Sequence, residues 1–287
     1  MPVTLTTCNE WPQLPQGLHN LAAQLNARKI PTRAIPWQQC PAEGLILPLC
    51  AWDYTASPQQ FLAWLQTCQA AGSTLLNPPE IIRWNMQKSY LADLAERGAD
   101  VIPTVCLSGA QCLSENFAES LKQTLAQHQW SNAVIKPLIG QSGNGVSRLT
   151  PQTLPETNAS YRYGAVIQPF IKEVAETGER SLIFFNGTFS HAIIRQPAAG
   201  EWRANSRYGV RILSWQAPSP LINQAAEVLS LLPQTPLYAR IDGTLTARGR
   251  FLLNELELIE PALYLEHAPP ECTDRFVDAI ASAFNHR

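Results

Sequence analysis

The first eighty residues of the chain alternate short apolar runs with amphipathic stretches. Four apolar runs predict β-strands, at residues 3–8, 32–36, 45–51 and 73–77. Between them, residues 17–29 and 57–71 carry apolar side chains at helical spacing, and Ser57-Pro58 suits a helix N-terminus. This alternation is typical of a small parallel sheet covered by helices.

The pattern changes after the double proline at residues 78–79. Residues 81–97 predict one helix that ends at Gly98, and further helices are predicted at 115–129, 221–232 and 273–285. Strands are predicted at 101–107, 133–137, 165–170, 181–185, 188–195, 237–242 and 251–259. Asn186-Gly187 and Arg248-Gly249 fit the turns of antiparallel hairpins. We therefore predict an α/β unit over residues 1–83 and a mostly antiparallel α+β body over residues 84–287.

Composition narrows the class of protein. The chain has 287 residues, of which 45% are hydrophobic and 15% charged, with a formal net charge of −2. This indicates a well-packed globular protein with no general attraction to nucleic acid or to an anionic membrane. No apolar run approaches the roughly 20 residues of a membrane span, and the N-terminus shows no signal-peptide pattern. Seven dispersed cysteines without a Cys-x-x-Cys pair indicate free thiols, so we expect a cytoplasmic protein with neither a membrane nor a nucleic-acid partner.

Charged residues cluster near the carboxyl end, in the segment YARIDGTLTARGRFLLNELELIEP. If the turn falls at Arg248-Gly249, Asp242 lies opposite Glu255. In the same register Arg240 lies opposite Glu257, on the same face, while leucines occupy the other face and indicate a buried strand. Three buried carboxylates need compensating positive charge, and Arg240 can pair with one of them. Oxygen ligands without Cys or His favour Mg²⁺ or Mn²⁺, and the alternative is an edge hairpin whose charges face water.

A glycine-rich loop follows the strand predicted at residues 133–137. The strand carries Lys136, and the loop carries Gly140, Gly143 and Gly145. Glycines let the backbone approach a ligand and present N–H groups to phosphate oxygens, and a buried lysine needs an anionic partner. The loop matches neither a Walker motif nor the dinucleotide-binding fingerprint. It is either a phosphate-binding loop or a plain glycine-rich hairpin.

Arginines cluster in and just after the segment IIRQPAAGEWRANSRYG, which also contains Asn205. Four of them lie close together in the sequence, Arg195, Arg203, Arg207 and Arg211. Arginine forks bind carboxylate and phosphate oxygens through paired hydrogen bonds. The alternative is a basic loop exposed to solvent.

The order of these motifs resembles the ATP-grasp superfamily. The series consists of a lysine ahead of a strand, a second lysine with a glycine-rich loop, an apolar strand ending in Gln-Pro-Phe, an arginine-rich loop and an acidic hairpin. The resemblance covers residues 78–261 and is to the glutathione synthetase and RimK-like branch, which includes the cyclo-ligase of cycloserine biosynthesis. It implies a pre-ATP-grasp domain over residues 1–83. It also implies an ATP-grasp domain over residues 84–287, made of two subdomains with the nucleotide between them.

The resemblance also implies roles for individual residues. Those implied to bind ATP are Lys88, Lys136, Gly140, Ser142, Gly143, Gly145, Gln168, Phe170, Ile171 and Glu179. In this set the lysines bind the phosphates and the glycine-rich loop closes over them. Residues 168–171 contact adenine, and Glu179 accepts hydrogen bonds from the ribose hydroxyls. The implied metal ligands are Asp242, Glu255 and Glu257, the last of which stands where glutathione synthetase has Asn. The implied catalytic residues, in the pattern R-x-P-x-x-G-E-x-R-x-N, are Arg195, Arg203 and Asn205.

From this resemblance we expect an ADP-forming, ATP-dependent ligase that makes C–N bonds through an acyl-phosphate intermediate. ATP and Mg²⁺ or Mn²⁺ are the implied cofactors, and the implied substrates are an amine and a small amino-acid-like or peptide carboxylate. Three alternatives stay open: an intramolecular cyclo-ligase, an ATP-grasp kinase and a non-catalytic nucleotide-binding protein. The sequence leaves open the identity of both organic substrates and the oligomeric state, including whether the chain forms a homodimer.

Overall fold

The computed structural model describes residues 2–156, 159–246 and 249–285 of the chain. Its α-helices are α1 Gln16–Ala27, α2 Pro58–Ala70, α3 Pro79–Asn85, α4 Tyr90–Glu96, α5 Gly109–Cys112, α6 Phe117–Gln127, α7 Lys172–Thr177, α8 Ser219–Ser230 and α9 Pro270–Asn285. Its strands are β1 Val3–Thr7, β2 Thr32–Pro36, β3 Leu45–Leu47, β4 Thr74–Leu75, β5 Val105–Ser108, β6 Ala133–Pro137, β7 Ser147–Leu149, β8 Gly164–Pro169, β9 Glu179–Phe185, β10 Thr188–Gln196, β11 Arg211–Trp215, β12 Tyr238–Leu245 and β13 Phe251–Glu257. In the described residues these strands form three sheets.

The first sheet is parallel, as the alternating pattern predicts. Its strands lie in the order β2-β1-β3-β4, and every neighbouring pair is parallel. Leu45 and Leu47 are buried in a core shared with α1 and α9, whereas Ile46 is buried in a core shared with α2. Alternate residues of β3 therefore serve opposite faces of the sheet, which explains its continuous apolar sequence.

The second and third sheets are antiparallel. Their strand orders are β5-β8-β6-β7 and β11-β10-β9-β12-β13. Asn186 and Gly187 form the predicted turn between β9 and β10, with positive φ angles of 48° and 73°. The predicted fold class, an α/β unit joined to an α+β body, is confirmed. Strand β11 was not predicted, because its mostly exposed residues give little strand pattern.

The helix predicted over residues 81–97 is instead two helices. α3 ends at Asn85 and α4 begins at Tyr90, and the turn between them carries Lys88. The backbone N–H of Lys88 donates to the carbonyl of Leu138 at 2.9 Å, a tertiary bond in place of a helical one. Apolar spacing continues through the break, so periodicity alone could not reveal it. The break brings Lys88 beside the loop that follows Leu138.

The hairpin of β12 and β13 has the predicted pairing at its charged end. Asp242 lies opposite Glu255, and Arg240 lies opposite Glu257. Because residues two apart on a strand share a face, these four side chains lie on the same side of the sheet. The predicted arrangement of the charged residues is therefore confirmed.

The pairing near the turn of this hairpin differs from the prediction. A two-residue turn at Arg248-Gly249, part of which lies outside the described residues, would pair Leu245 with Leu252. Leu245 instead pairs with Phe251. A β-bulge, with Asn254 as the extra residue, then restores the predicted register at the charged end. The expected partners are thus correct, but the turn alone does not set them.

Strand β13 is an outer strand of its sheet, and polar side chains cover its free edge. Asn85 donates to the carbonyl of Leu256 at 2.8 Å and accepts from the N–H of Leu258 at 2.9 Å. The hydroxyl of Tyr90 accepts from the N–H of Leu256 at 2.9 Å, and Asn77 donates to the carbonyl of Leu258 at 2.8 Å. These side chains satisfy backbone groups that a neighbouring strand would otherwise pair. The segment around α3 and α4 therefore fixes the strand that carries Glu255 and Glu257.

Other expectations concern the domain division, the membrane and the cysteines. The predicted boundary between residues 83 and 84 falls within α3, and the division into two domains stays a prediction. In the described part of the chain, no helix has the length and apolar character to cross a membrane. All seven cysteines are free thiols, of which six are buried and Cys106 is exposed.

We predict that Asn77→Ala lowers the free energy of unfolding by about 2–4 kcal/mol, because it strands buried backbone groups. Asn77 is fully buried, donates to the carbonyls of Tyr238 and Leu258 at 2.8 Å each, and accepts from the N–H of Leu237 at 2.6 Å. Urea denaturation followed by circular dichroism measures the change. The exposed Asn20→Ala serves as control and should change the value by less than about 0.5 kcal/mol. Equal stability of the two variants would contradict the assigned role of Asn77.

Candidate functional site

A cleft lies between the second and third sheets, beside the turn that carries Lys88 and the glycine-rich loop. Thirteen of the sixteen predicted site residues line it: Lys88, Lys136, Gly140, Ser142, Gly143, Gln168, Phe170, Ile171, Glu179, Arg203, Asn205, Glu255 and Glu257. Gly145, Arg195 and Asp242 do not line the cleft. Residues far apart in the sequence are thus brought to one place.

Three carboxylates of the charged hairpin converge at the wall of the cleft. Asp242, Glu255 and Glu257 each offer an oxygen atom within 4.8 Å of the other two. Asp242 is fully buried behind the wall, while the two glutamates line the cleft. Converging carboxylate oxygens, without Cys or His, are a donor set that fits Mg²⁺ or Mn²⁺.

Two buried arginines also serve these carboxylates. Arg240 donates to Asp242 at 2.9 Å and to Glu257. Arg195 lies 2.6 Å from Asp242 and 2.5 Å from Glu179, and is only 4% exposed. Burial alone would raise the pKa of Asp242, but the two guanidinium groups hold it below its ordinary value. The sequence analysis credited only Arg240 with this compensation, and the position of Arg195 corrects that view.

Glu257 is the least compensated member of the three. Burial raises its pKa to about 7, and Glu255 and Asp242 add to the rise while Arg240 opposes it. A like charge close by disfavours ionisation, whereas a bound cation would restore it. The acidic wall therefore retains affinity for a further positive charge.

Two lysines project into the cleft beside the acidic wall. Lys88 forms an ion pair with Glu255. Burial lowers the pKa of Lys88, but the charge of Glu255 outweighs this and raises it above its ordinary value. Lys136 donates to the amide oxygen of Asn254 at 2.7 Å. Burial lowers the pKa of Lys136 to about 8, with Lys88 adding to the fall and Glu255 opposing it. A second anion in the cleft would stabilise the charged form of Lys136.

Asn254 also lines the cleft, although it is not among the predicted site residues. Strict alternation puts Asn254 on the face opposite Glu255, whereas the β-bulge brings both side chains to the cleft. Asn254 accepts from Lys136 and donates to Glu179, so it joins a cation and an anion of the site. The sequence signal for Asn254 was a polar residue within a run of leucines.

The glycine-rich loop is held from both sides. Ser142, Gly143 and Gly145 have positive φ angles of 53°, 71° and 68°. A Cβ atom on Gly143 would come within 2.8 Å of the Tyr208 ring, whose hydroxyl donates to the Gly143 carbonyl at 3.2 Å. On the other side Gln141 donates to the carbonyl of Trp52. The loop therefore contacts both the arginine-rich segment and the N-terminal unit.

Gly145 is turned away from the cleft. A Cβ atom there would come within 2.8 Å of both Pro137 and Ser160. Close packing together with its left-handed backbone accounts for glycine at this position. Its part in ATP binding stays a prediction, and the observed contacts explain only its role in shaping the loop.

The end of β8 forms an apolar part of the cleft. Gln168 is 2% exposed and donates to the hydroxyl of Thr104 at 3.0 Å. The N–H of Phe170 donates to the carbonyl of Asn132 at 3.0 Å, so this amide already has a backbone acceptor. The ring of Phe170 contacts the Arg148 guanidinium, 4.0 Å from the ring centre, and meets Trp202 edge-on. Together with Ile171 these groups can hold a flat, apolar ring.

The arginine-rich segment contributes one guanidinium group to the cleft wall. Arg203 donates to both carboxylate oxygens of Glu201, at 3.0 and 2.7 Å, and lies 3.6 Å from the centre of the Tyr208 ring. The hydrogen bonds from Arg203 lower the pKa of Glu201 to about 2. Arg203 and Asn205 line the cleft, but Arg207 bonds to Asn144 of the glycine-rich loop instead.

Two further residues of the cleft wall were not predicted. Tyr54 comes from the N-terminal unit, and Glu260 follows β13. Tyr54 carried no motif, and Glu260 lies beyond the paired part of the hairpin. No sequence signal identified either residue.

Comparisons with known proteins agree with this architecture. The family model for the "Prokaryotic glutathione synthetase, ATP-grasp domain" matches residues 107–234, and that for the "D-cycloserine synthetase DcsG, N-terminal domain" matches residues 3–77. The cycloserine biosynthesis protein DcsG of Streptomyces lavendulae is 29% identical over 250 residues, which is 80% of each chain. Glutathione synthetase of Prochlorococcus marinus (strain MIT 9313) is 26% identical over 88% of this chain and 80% of its own length.

Among solved structures, the crystal structure of D-cycloserine synthetase DcsG has a similar fold. It superposes with a TM-score of 0.84 at 23% identity, over 99% of this chain and all of the other. The sequence matches are to an ATP-grasp domain, a cycloserine biosynthesis protein and glutathione synthetases, and the expected class of enzyme, an ATP-dependent ligase that forms C–N bonds, is confirmed. The resemblance to the ATP-grasp superfamily is therefore confirmed, and the chain is an ATP-dependent ligase.

Proposed function

We propose that the chain is a Mg²⁺-dependent carboxylate–amine ligase that works through an acyl phosphate. The observation that carries the proposal is the convergence of Asp242, Glu255 and Glu257 within 4.8 Å beside two lysines of one cleft. Mg²⁺ in proteins is commonly bound by one or two carboxylates together with substrate phosphates. An acidic wall next to lysines suits a metal-bound triphosphate, whereas a carboxylate substrate alone would not need both charges.

The two halves of the cleft suit the two ends of ATP. In the proposal, Lys88, Lys136 and the backbone of the glycine-rich loop bind the phosphates. Phe170 and Ile171 pack against adenine. Glu179 accepts hydrogen bonds from the ribose hydroxyls, although Arg195 and Asn254 already donate to its two oxygens. Each carboxylate oxygen can accept more than one hydrogen bond, so that contact is compatible with the existing ones.

The proposed reaction has two transfers. A carboxylate oxygen of the substrate attacks the γ-phosphorus of ATP, the bond to the bridging oxygen breaks, and ADP leaves. The nitrogen of the amine then attacks the acyl phosphate carbon, phosphate leaves, and the nitrogen loses a proton. Bound Mg²⁺ would offset the charge on the phosphates. The chain's own contribution is to orient the two reactants and to exclude water beneath the glycine-rich loop.

The arginines have different proposed parts. Arg203 lines the cleft, so we propose that it faces the acyl phosphate, with Asn205 beside it. Arg195 is buried between Asp242 and Glu179, and we propose that it positions these two acids. This revises the expectation that Arg195 is a catalytic residue.

An intramolecular cyclo-ligase is the second candidate. The match of residues 3–77 to the N-terminal domain of D-cycloserine synthetase favours it, because that unit supplies Tyr54 to the cleft. The two candidates differ in whether ADP release needs one organic substrate or two. A kinase would instead release a stable phosphorylated product, which hydroxylamine would not trap as a hydroxamate.

We predict that Glu255→Gln lowers kcat for ADP release by at least about 100-fold, because it removes a metal-binding charge and the partner of Lys88. The assay is ADP release with Mg²⁺ across a panel of amino acids and short carboxylates. Glu227→Gln, an acid on helix α8 that does not line the cleft, is the matched control and should keep the wild-type rate. A Glu255→Gln protein with full activity and an unchanged circular dichroism spectrum would refute the proposal.

We also predict that affinity for Mg²⁺-ADP weakens about tenfold between pH 7 and pH 9. In the ligand-free protein burial lowers the pKa of Lys136 to about 8, so rising pH removes the proton that a phosphate contact requires. Isothermal titration calorimetry at several pH values measures the affinity. Lys136→Arg keeps its charge throughout this range, so its affinity should stay nearly constant. Identical pH profiles of the two proteins would contradict a phosphate contact by Lys136.

A further inference from the structure

Tyr54 and Glu260 form a polar corner of the cleft to which no part of the proposed nucleotide site is assigned. Both residues line the cleft, and Tyr54 is only 4% exposed. Trp52 donates from its indole nitrogen to the backbone carbonyl of Glu260 at 3.0 Å, which fixes Glu260 against the N-terminal unit. Burial raises the pKa of Tyr54 well above its ordinary value, and the charge of Glu260 adds to the rise.

Neither polar group has a side-chain partner in the part of the chain that the structure describes. The Tyr54 hydroxyl forms no hydrogen bond there, and the Glu260 carboxylate receives one only from its own backbone N–H. Buried polar groups in proteins are nearly always hydrogen-bonded, so a largely buried tyrosine facing a cleft in this way points to a ligand. The unmatched groups are an acid and a hydroxyl.

The cations in and directly behind the cleft pair with other side chains, Arg203 among them with Glu201. Lys88 is bonded to Glu255, and Lys136 is bonded to Asn254. Arg240 serves Asp242 and Glu257, and Arg195 serves Asp242 and Glu179. Burial and the charge of Glu257 raise the pKa of Glu260 well above its ordinary value, and Lys88 only partly offsets this. A positively charged group of a ligand would offset both the burial of the Glu260 charge and its repulsion by Glu257.

We propose that Glu260 binds the ammonium group of the carboxylate substrate and that Tyr54 hydrogen-bonds to the same molecule. The substrate class is then an amino acid, and a carboxylic acid without an amino group is a poor substrate. This inference rests on the proposed function, because it assigns one end of the molecule whose carboxylate is activated. The metal ligands stay as assigned, since Glu260 does not belong to the set of oxygens that converge within 4.8 Å.

The test is calorimetric titration of the full chain with Mg²⁺-ADP present. The probes are D- and L-alanine and D- and L-serine, with propionate and 3-hydroxypropionate as matched acids that lack the amino group. We expect at least one amino acid to bind the wild type at least about tenfold more tightly than it binds Glu260→Gln, because a charge-assisted hydrogen bond is lost. Tyr54→Phe should weaken the same amino acid by a smaller factor, and Glu227→Gln should leave it unchanged. The two acids should bind wild type and Glu260→Gln alike.

The opposite results are equally distinct. If no amino acid of the panel distinguishes wild type from Glu260→Gln, including the case in which none binds, the inference is overturned. Equal loss for an amino acid and its matched acid would show that Glu260 does not recognise the ammonium group, and would overturn it too. If Mg²⁺-ADP itself fails to bind the wild type, the proposed function fails, and that result is read separately from the amino-acid titrations. Circular dichroism checks that both variants are folded.

Discussion

Compensation of buried negative charge is the constraint on which the site depends. Five carboxylates lie in or directly behind the cleft, at Glu179, Asp242, Glu255, Glu257 and Glu260. An unpaired charge in such surroundings costs several kcal/mol, so cations must sit beside the acids and fix where they point. Two arginines each join a pair of acids, and one lysine holds another. The ion pairs that compensate the buried carboxylates therefore also fix the positions of their oxygen atoms.

The acids also depend on an outer strand of the sheet, whose free edge is bonded by the backbone of Asp100 and Ile102 at Leu253 and by side chains beyond it. β13 carries Glu255 and Glu257 at the edge of its sheet, where a strand is free to slip or to pair with another molecule. Asn77, Asn85 and Tyr90 remove that freedom by hydrogen-bonding to its backbone. Lys88 lies in the same segment, between two of these residues. A single stretch of chain therefore fixes the strand that carries Glu255 and Glu257 and supplies a cation to it.

Local patterns predicted the parts of this structure that depend on neighbouring residues. Spacing along the chain gave the parallel first sheet, the Asn186-Gly187 turn and the pairing of Asp242 with Glu255. The break that exposes Lys88 could not be predicted, because it depends on a hydrogen bond to Leu138, fifty residues later in the chain. The bulge at Asn254 could not be predicted either, because a strand that alternates strictly contains no extra residue. Thirteen of the sixteen predicted site residues line the cleft, but the sequence did not show which charges most of them would pair with.

In the proposed function, different parts of the architecture bind the nucleotide and recognise the other substrate. Groups suited to phosphates and adenine come from the second and third sheets and their loops. The N-terminal unit reaches the cleft at another corner, through Tyr54 and through hydrogen bonds that Trp52 makes with Gln141 and Glu260. Because Gln141 belongs to the glycine-rich loop, a molecule held by the N-terminal unit would lie against the segment proposed to cover the phosphates. Specificity for the carboxylate and closure over the nucleotide would then act through the same contacts, so that the acyl phosphate forms only where water is excluded.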